Sequence, residues 1–434
     1  MSNKIINAYT SIPLVARMLG ALVIGLPIGL AISFYSPDLI NVISAYLSPF
    51  GTVLVNMLKM IVIPIIFFSL IAGAASIPLG KLGKVGIKTI LWYLMTSLFA
   101  SLFGVLVAML FNPGVGFTPQ QVASSVAQVG VQPSADIIGI LLGMFANPFA
   151  SLAQGNFLPI IVFAILFGVA TRLVADKPLD EEESKRAFAL IDFAKSVNAS
   201  MFKIVNWVME YAPIGVLALT IVNFGTYGSD LLGSYGQIVI GIVLGILGLI
   251  AFVYSGLLIL IGRENPLKIF NKIKEAMVTA FATRSSAATL PVSMEVARDE
   301  LGVKEELASF TLPLGATINM DGVCIHLPMW AFFAANMFGI SMTIDSILVM
   351  VITTVLASIG AGGVPGGSLM LLFIILGTMG LAPEQIAIVV SLAIAVNPIL
   401  DMFETMNNVT GDLVMTYLVG KTEGLVDENV QKKL

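Results

Sequence analysis

Long apolar runs at residues 12–35, 92–111, 158–171 with its flanks, and 237–261 constrain this chain more than any other feature. A helix crossing the hydrocarbon core of a bilayer needs roughly 20 apolar residues, about the length of these runs. Charged residues make up only 11% of the chain and hydrophobic ones 57%. Soluble chains carry charge on about a quarter of their residues, so the apolar surplus here faces lipid. Short segments of alternating polarity, the mark of a membrane barrel, are absent, so the spans are helical. The expected fold class is an all-α polytopic membrane protein. The first run is too long and starts too late for a removed signal peptide, and it contains Arg17. One cysteine, Cys324, and one histidine, His326, exclude a disulfide framework and a His/Cys zinc centre.

The 22 basic residues fall in clusters. Lys4, Arg17 and Lys59 precede Lys81, Lys84 and Lys88; further groups occupy residues 172–203 and 263–304, and Lys421, Lys432 and Lys433 come last. Basic flanks resist translocation, so cytoplasmic loops collect them. Each bare interval must then leave the cytoplasm and return, which puts both termini inside. Residues 112–133 and 225–236 become external loops, and residues 176–186 and 263–274 cytoplasmic linkers. Lys59 lies inside an apolar segment and is expected to snorkel from a tilted helix.

Helix-breaking sequences interrupt four apolar segments: Ala146-Asn147-Pro148, Thr283-Arg284-Ser285-Ser286, residues 315–322 and residues 360–368. Irregular backbone at membrane depth is tolerated only against protein or water. A polar, Gly-rich tip between two half-length arms therefore reads as a re-entrant hairpin, and two such hairpins point to a transport site between repeats. A glycine-kinked packing helix would account for one break. It does not account for Asn319, Asp321, Asp401, Glu404 and Asp412 in an interval without Lys or Arg.

A charge at the bilayer centre costs ~2.5–3.5 kcal/mol, so these acids require compensation, and bound cations would supply it. Carboxylate, amide, hydroxyl and carbonyl oxygens suit a hard ion. In the last apolar segment Asn397, Asp401, Glu404, Thr405, Asn408 and Asp412 recur at intervals that place them along one helical stripe. Spacing alone leaves sodium and protons equally open.

The segments TRSSAATLPV (283–292), TLPLGATINMDG (311–322), ASIGAGGVPGG (357–367) and NVTGD (408–412) resemble the dicarboxylate/amino acid:cation symporters, the family of glutamate transporters. The resemblance covers nearly the whole chain. It implies eight transmembrane helices plus two re-entrant helical hairpins with inverted repeats, assembled as a homotrimer working by an elevator mechanism. Residues 1–80 would form scaffold helices 1–2, residues 81–114 helix 3 of the transport domain, and residues 115–262 scaffold helices 4–6 with an external loop. Residues 263–420 would form the transport core, with hairpins near 265–295 and 344–376, and residues 421–434 a cytoplasmic tail.

By the same resemblance, one sodium ion would sit between Gly315, Asn319, Asn408 and Asp412. A second would use backbone at Thr317, Ser358, Ile359 and Ala361 with the Met320 sulfur nearby. A third would use Tyr93, Thr96 and Ser97 with Asn319 and Asp321. Substrate would meet Arg284, Ser285, Ser286, Gly363, Val364, Asp401, Glu404, Thr405 and Asn408. Ser286 and Asn408 would hold its α-carboxylate and Asp401 its α-ammonium.

Three positions depart from the acidic-substrate pattern. The arginine that clamps a side-chain carboxylate is replaced by Glu404, its helper threonine by Val323, and its supporting acid by Asn397. A buried carboxylate repels a substrate carboxylate. Glu404 is similar to the serine/threonine symporter branch, so the expected cargo is a small neutral amino acid carried with sodium. Cationic or other neutral amino acids, with Glu404 as counter-ion, are the first alternative; acidic amino acids and dicarboxylates are disfavoured, and a channel or receptor fits occluding hairpins poorly. No nucleophile–base pair suggests an enzyme. The expected location is the inner or plasma membrane, with no organic cofactor and no nucleic-acid partner.

Overall fold

The computed structural model describes residue 9 and residues 11–76, 83–117, 142–363, 365–427 and 430. The outer part of the expected loop at 112–133, Lys81, Val364 and the end of the tail lie outside the described residues. Fourteen helices follow in order among those that are described: α1 (Leu14–Tyr35), α2 (Leu39–Ala75), α3 (Gly83–Phe111), α4 (Pro148–Gln154), α5 (Phe157–Asp176), α6 (Glu181–Tyr227), α7 (Asp230–Gly262), α8 (Pro266–Thr283), α9 (Ser286–Asp299), α10 (Glu305–Ile318), α11 (Asp321–Phe338), α12 (Ile344–Ser358), α13 (Gly367–Thr378) and α14 (Pro383–Thr422). Seven of them, α1, α2, α3, α5, α6, α7 and α14, are long and apolar enough to cross a membrane.

The chain is a multi-pass membrane protein, and its surface shows why. On α3, Leu91, Leu98, Leu102, Leu106 and Met109 form an exposed apolar stripe at helical spacing. A water-facing helix would carry charge there. Lys59 is exposed on α2, as snorkelling requires.

Helices α1, α2, α5 and α6 pack on one another. Small residues set their spacing: a Cβ on Gly29 would lie 2.7 Å from the Phe224 Cβ, and one on Gly25 would lie 2.9 Å from that of Thr220. Without aqueous solvent to drive association, such close backbone approach is what holds membrane helices together. Arg17 pairs with Glu210 at 2.7 Å and ties α1 to α6.

Helices α3 and α8–α14 form a second group around α11 and α14. Helix α7, expected with the scaffold helices, packs instead on α3, α11 and α14 and only marginally on α6. Its inward side carries Tyr235, Ile238, Ile242, Ile246 and Tyr254, and the Tyr235 hydroxyl donates to the Leu392 carbonyl at 2.6 Å. The connections are also shorter than the composition suggests. Residues 225–236, expected as a loop, are helical except for a turn at Gly228 (φ 62°) and Ser229. The polar segment 176–186 is mostly the start of α6, capped by Asp180, which accepts from the Glu183 N–H at 2.7 Å. Of residues 263–274, only 263–265 lie outside helices.

Candidate functional site

All four sequence breaks interrupt helices, and the last three meet inside the second group. Asn147 caps α4, accepting from the Phe149 N–H at 2.9 Å, with Pro148 at the first helical position. Arg284 ends α8 in the left-handed region (φ 56°), and Ser285 caps α9 by accepting from the Ala288 N–H at 3.1 Å. Asn319 and Met320 leave the helical region between α10 and α11. Between α12 and α13, Gly362, Gly363 and Gly366 have positive φ. Gly363 is required on a second ground, because a Cβ there would collide with the Ala316 carbonyl. The Ser285 hydroxyl donates to the Gly363 carbonyl at 2.9 Å and so joins the two hairpin tips.

Where the breaks meet lies a small, nearly closed cavity of about 20 Å³. Ser286 and Gly363 come to it from the tips, Val323 from α11, and Asp401, Glu404, Thr405 and Asn408 from α14. Asn397 lies one turn before Asp401, and its Oδ1 accepts from the Ser368 hydroxyl at 3.4 Å. Helix α14 thus buries its polar stripe against the breaks. The N-termini of α9 and α13 open on the same space, and the positive ends of their dipoles suit an anionic group.

The charge balance differs from the sequence expectation in one respect. Asp401 has a protein partner: its Oδ2 accepts from Arg284 Nε at 2.9 Å and Nη2 at 2.7 Å, and from the Gly366 N–H at 3.1 Å. Arg284 lies outside the bare interval 305–420, which is why the sequence count missed it. Both side chains are buried. An incoming ammonium would therefore share Asp401 with a guanidinium. Glu404 has no Lys or Arg paired with it among the described residues. It is 1% exposed, and neither of its carboxylate oxygens has an aligned hydrogen-bond partner among the described residues.

Behind the cavity the remaining acids sit among neutral oxygens. The Asn319 amide donates to Asp412 Oδ1 at 2.9 Å, and the same carboxylate lies against the backbone of Gly315. Tyr93 and Thr96 face this cluster from α3, the Thr96 hydroxyl lying 3.2 Å from Asn319 Oδ1. Ser97 donates to Asp321 Oδ1 at 2.7 Å. Asn408 accepts from the Gly322 N–H at 2.7 Å, and its amide lies 3.2 Å from the Met320 sulfur. Thr317 and Ser358 bond within their own helices, donating to the Leu314 and Val355 carbonyls. Ile359 and Ala361 continue from Ser358 at the C-terminal end of α12. Carbonyl ends of α10 and α12 carry partial negative charge, a suitable wall for a cation. Among the described residues no group of three His, Cys, Asp or Glu side chains could hold a transition metal.

Two buried residues were not anticipated. Tyr254 sits in a π-helical stretch of α7, where the wider turn brings its hydroxyl to Asp321 Oδ2 at 2.7 Å; Asn407 donates back to that hydroxyl at 3.3 Å. Both Asp321 oxygens are therefore held by hydroxyls. The only available signal was a tyrosine in mid-run. Tyr254→Phe should raise the sodium concentration for half-maximal uptake several-fold with little change in protein yield. A sodium titration of uptake checks this, and an unchanged curve would reduce Tyr254 to packing. The second residue is His326, which lies on the same face of α11 as Val323, three residues on.

A model of the sodium:dicarboxylate symporter family matches residues 14–422. The proton/glutamate-aspartate symporter of Escherichia coli K12 is 30% identical over 420 residues, covering 95% of this chain and 93% of its own. The neutral amino acid transporter B(0) of Oryctolagus cuniculus is 32% identical over 452 residues, covering 93% and 80%. The serine/threonine transporter SstT of Bifidobacterium adolescentis is 31% identical over 404 residues, covering 92% and 88%. Such proteins are secondary transporters and not enzymes, and sodium-coupled symport is characteristic of the family. With the broken helices, the buried acids and a match across almost its entire length, this chain belongs to the sodium:dicarboxylate symporter family.

Proposed function

We propose that this protein is a sodium-coupled symporter importing a small neutral amino acid, with serine and threonine preferred. The observation that carries the substrate class is Glu404, a buried acid lining the tight cavity where the helix breaks meet. Overall identity does not choose among relatives that carry acidic, neutral or hydroxyl amino acids, since the three values are 30%, 32% and 31%. Local chemistry does. An aspartate side chain would place a second carboxylate beside Glu404 in a site of low polarity. A large apolar side chain would leave Glu404 desolvated. A small hydroxyl donates one hydrogen bond to it, worth ~1.5–3 kcal/mol because the acceptor is charged.

The rest of the cycle follows the family pattern. Sodium ions, as cargo, would occupy the oxygen clusters around Asp412, around Asp321 and between the ends of α10 and α12. Ser286 and Asn408 would hold the α-carboxylate, and the free side of Asp401 the α-ammonium. The broken pair α10–α11 would make an eighth crossing. The core, including α7, would move past α1, α2, α5 and α6 of a homotrimer in the inner or plasma membrane, with both termini cytoplasmic.

Competition against labelled-serine uptake tests the substrate class. Unlabelled serine and threonine should inhibit strongly, alanine less and aspartate hardly at all. Inhibition by lysine as strong as by serine would favour a cationic substrate with Glu404 as its counter-ion. Glu404→Arg, combined with Val323→Thr, should shift the preference toward aspartate by tenfold or more, on the order of 1.4 kcal/mol. Selectivity left unchanged by the double substitution would remove Glu404 from the specificity site.

A further inference from the structure

Beneath Glu404 lies the chain's single histidine. His326 is fully buried on α11, and its Nδ1 is 2.5 Å from Glu404 Oε1. The approach is off the direction of a ring N–H, so neither ring nitrogen has an aligned hydrogen bond among the described residues. The two groups are nevertheless in direct polar contact. A turn of the imidazole about its side-chain torsions would align the N–H with the carboxylate and make this contact a hydrogen bond.

The surroundings favour a functional pairing over a packed core histidine. A core histidine normally has its nitrogens hydrogen-bonded to backbone, side chains or water. Here the close polar contact is with the cavity acid itself. The Trp330 indole nitrogen, next on the same face of α11, and the Asn397 amide nitrogen also have no aligned partner among the described residues. His326 and Trp330 stand 6.3 Å apart by ring centroids. The charged side chains lining the cavity are Asp401 and Glu404, and Arg284 already engages Asp401. His326 is therefore the group positioned to restrain Glu404, a side chain with three rotatable bonds.

Resting on Glu404 as the group that meets the substrate side chain, we propose that His326 is a specificity-determining positioning residue. It donates to one Glu404 oxygen from behind and fixes the other toward the substrate hydroxyl. A loose Glu404 would still repel aspartate but would lose its advantage for hydroxyl substrates. Charge repulsion needs only proximity, whereas a hydrogen bond needs direction.

The test compares His326→Gln, which keeps a side-chain donor, with His326→Phe, which keeps a ring and removes the donor. Each is reconstituted and assayed for KM with serine, threonine and alanine at saturating sodium. His326→Phe should raise KM for serine and threonine about tenfold, the loss of one charged hydrogen bond, and leave alanine nearly unchanged. His326→Gln should recover most of the preference. Half-saturation by sodium, measured with alanine, should not move in either variant. An equal loss for all three substrates, or a preference that survives His326→Phe, overturns the proposal. If His326→Phe does not fold, His326→Met is judged by the same criteria. If the wild type does not separate serine from alanine, the substrate assignment fails by itself. His326 is then judged on whichever amino acids the wild type separates best, and persistence of that discrimination in the donor-less variant overturns the proposal.

Discussion

Asp401→Ala is expected to abolish binding of every amino-acid substrate alike. The substitution would remove the proposed partner of the α-ammonium, which all amino acids share. It would also strand Arg284, whose guanidinium is bonded to Asp401 Oδ2 through two nitrogens in a site where both side chains are buried. Breaking one side of a buried ion pair costs ~3–5 kcal/mol, so the variant should also lose thermal stability. A double variant separates the two effects. Arg284→Gln with Asp401→Asn removes both charges and should recover stability without recovering binding. If transport returns with stability, Asp401 serves only to hold Arg284. If Asp401→Ala loses one substrate and keeps another, Asp401 reads the side chain instead of the ammonium.

Asp412→Asn should raise the sodium concentration for half-maximal substrate binding by at least tenfold and abolish concentrative uptake. The change is isosteric, and the amide oxygen of an asparagine can still accept from the Asn319 amide, which donates to Asp412 at 2.9 Å. The fold should therefore survive, and the loss would report charge. Asp412 belongs to a cluster of Asn319, Gly315 and Tyr93 without a cationic side chain among the described residues. Substrate binding measured across a sodium titration checks this. Unchanged sodium dependence would eliminate a cation site at Asp412.

Much of this arrangement was legible in the sequence because membrane folding leaves few options. Apolar runs announced the spans, and each of the four helix breaks fell where a proline, a glycine cluster or polar residues interrupted such a run. The stripe from Asn397 to Asp412 is buried along its length, as helical spacing required. What was not legible depends on contacts between distant segments. The Arg284–Asp401 pair joins residues 117 apart in sequence. Counting charges within one basic-free interval could not reveal it. The placement of α7 was hidden because an apolar helix can bury its sides against either group. Its π-helical turns, which aim Tyr254 at Asp321, have no sequence mark such as a proline. His326 could have been singled out from its spacing to Val323, but its partner on α14 depends on how two broken helices pack.

Reconstituted protein in proteoliposomes, loaded with potassium buffer and diluted into sodium buffer with labelled serine, tests the central claim most directly. Serine should accumulate above its external concentration while the sodium gradient lasts. Replacing external sodium with choline should abolish that accumulation, and a large excess of unlabelled aspartate should leave it nearly intact. Serine accumulation indifferent to sodium, or strong inhibition by aspartate with none by unlabelled serine or threonine, would contradict the account.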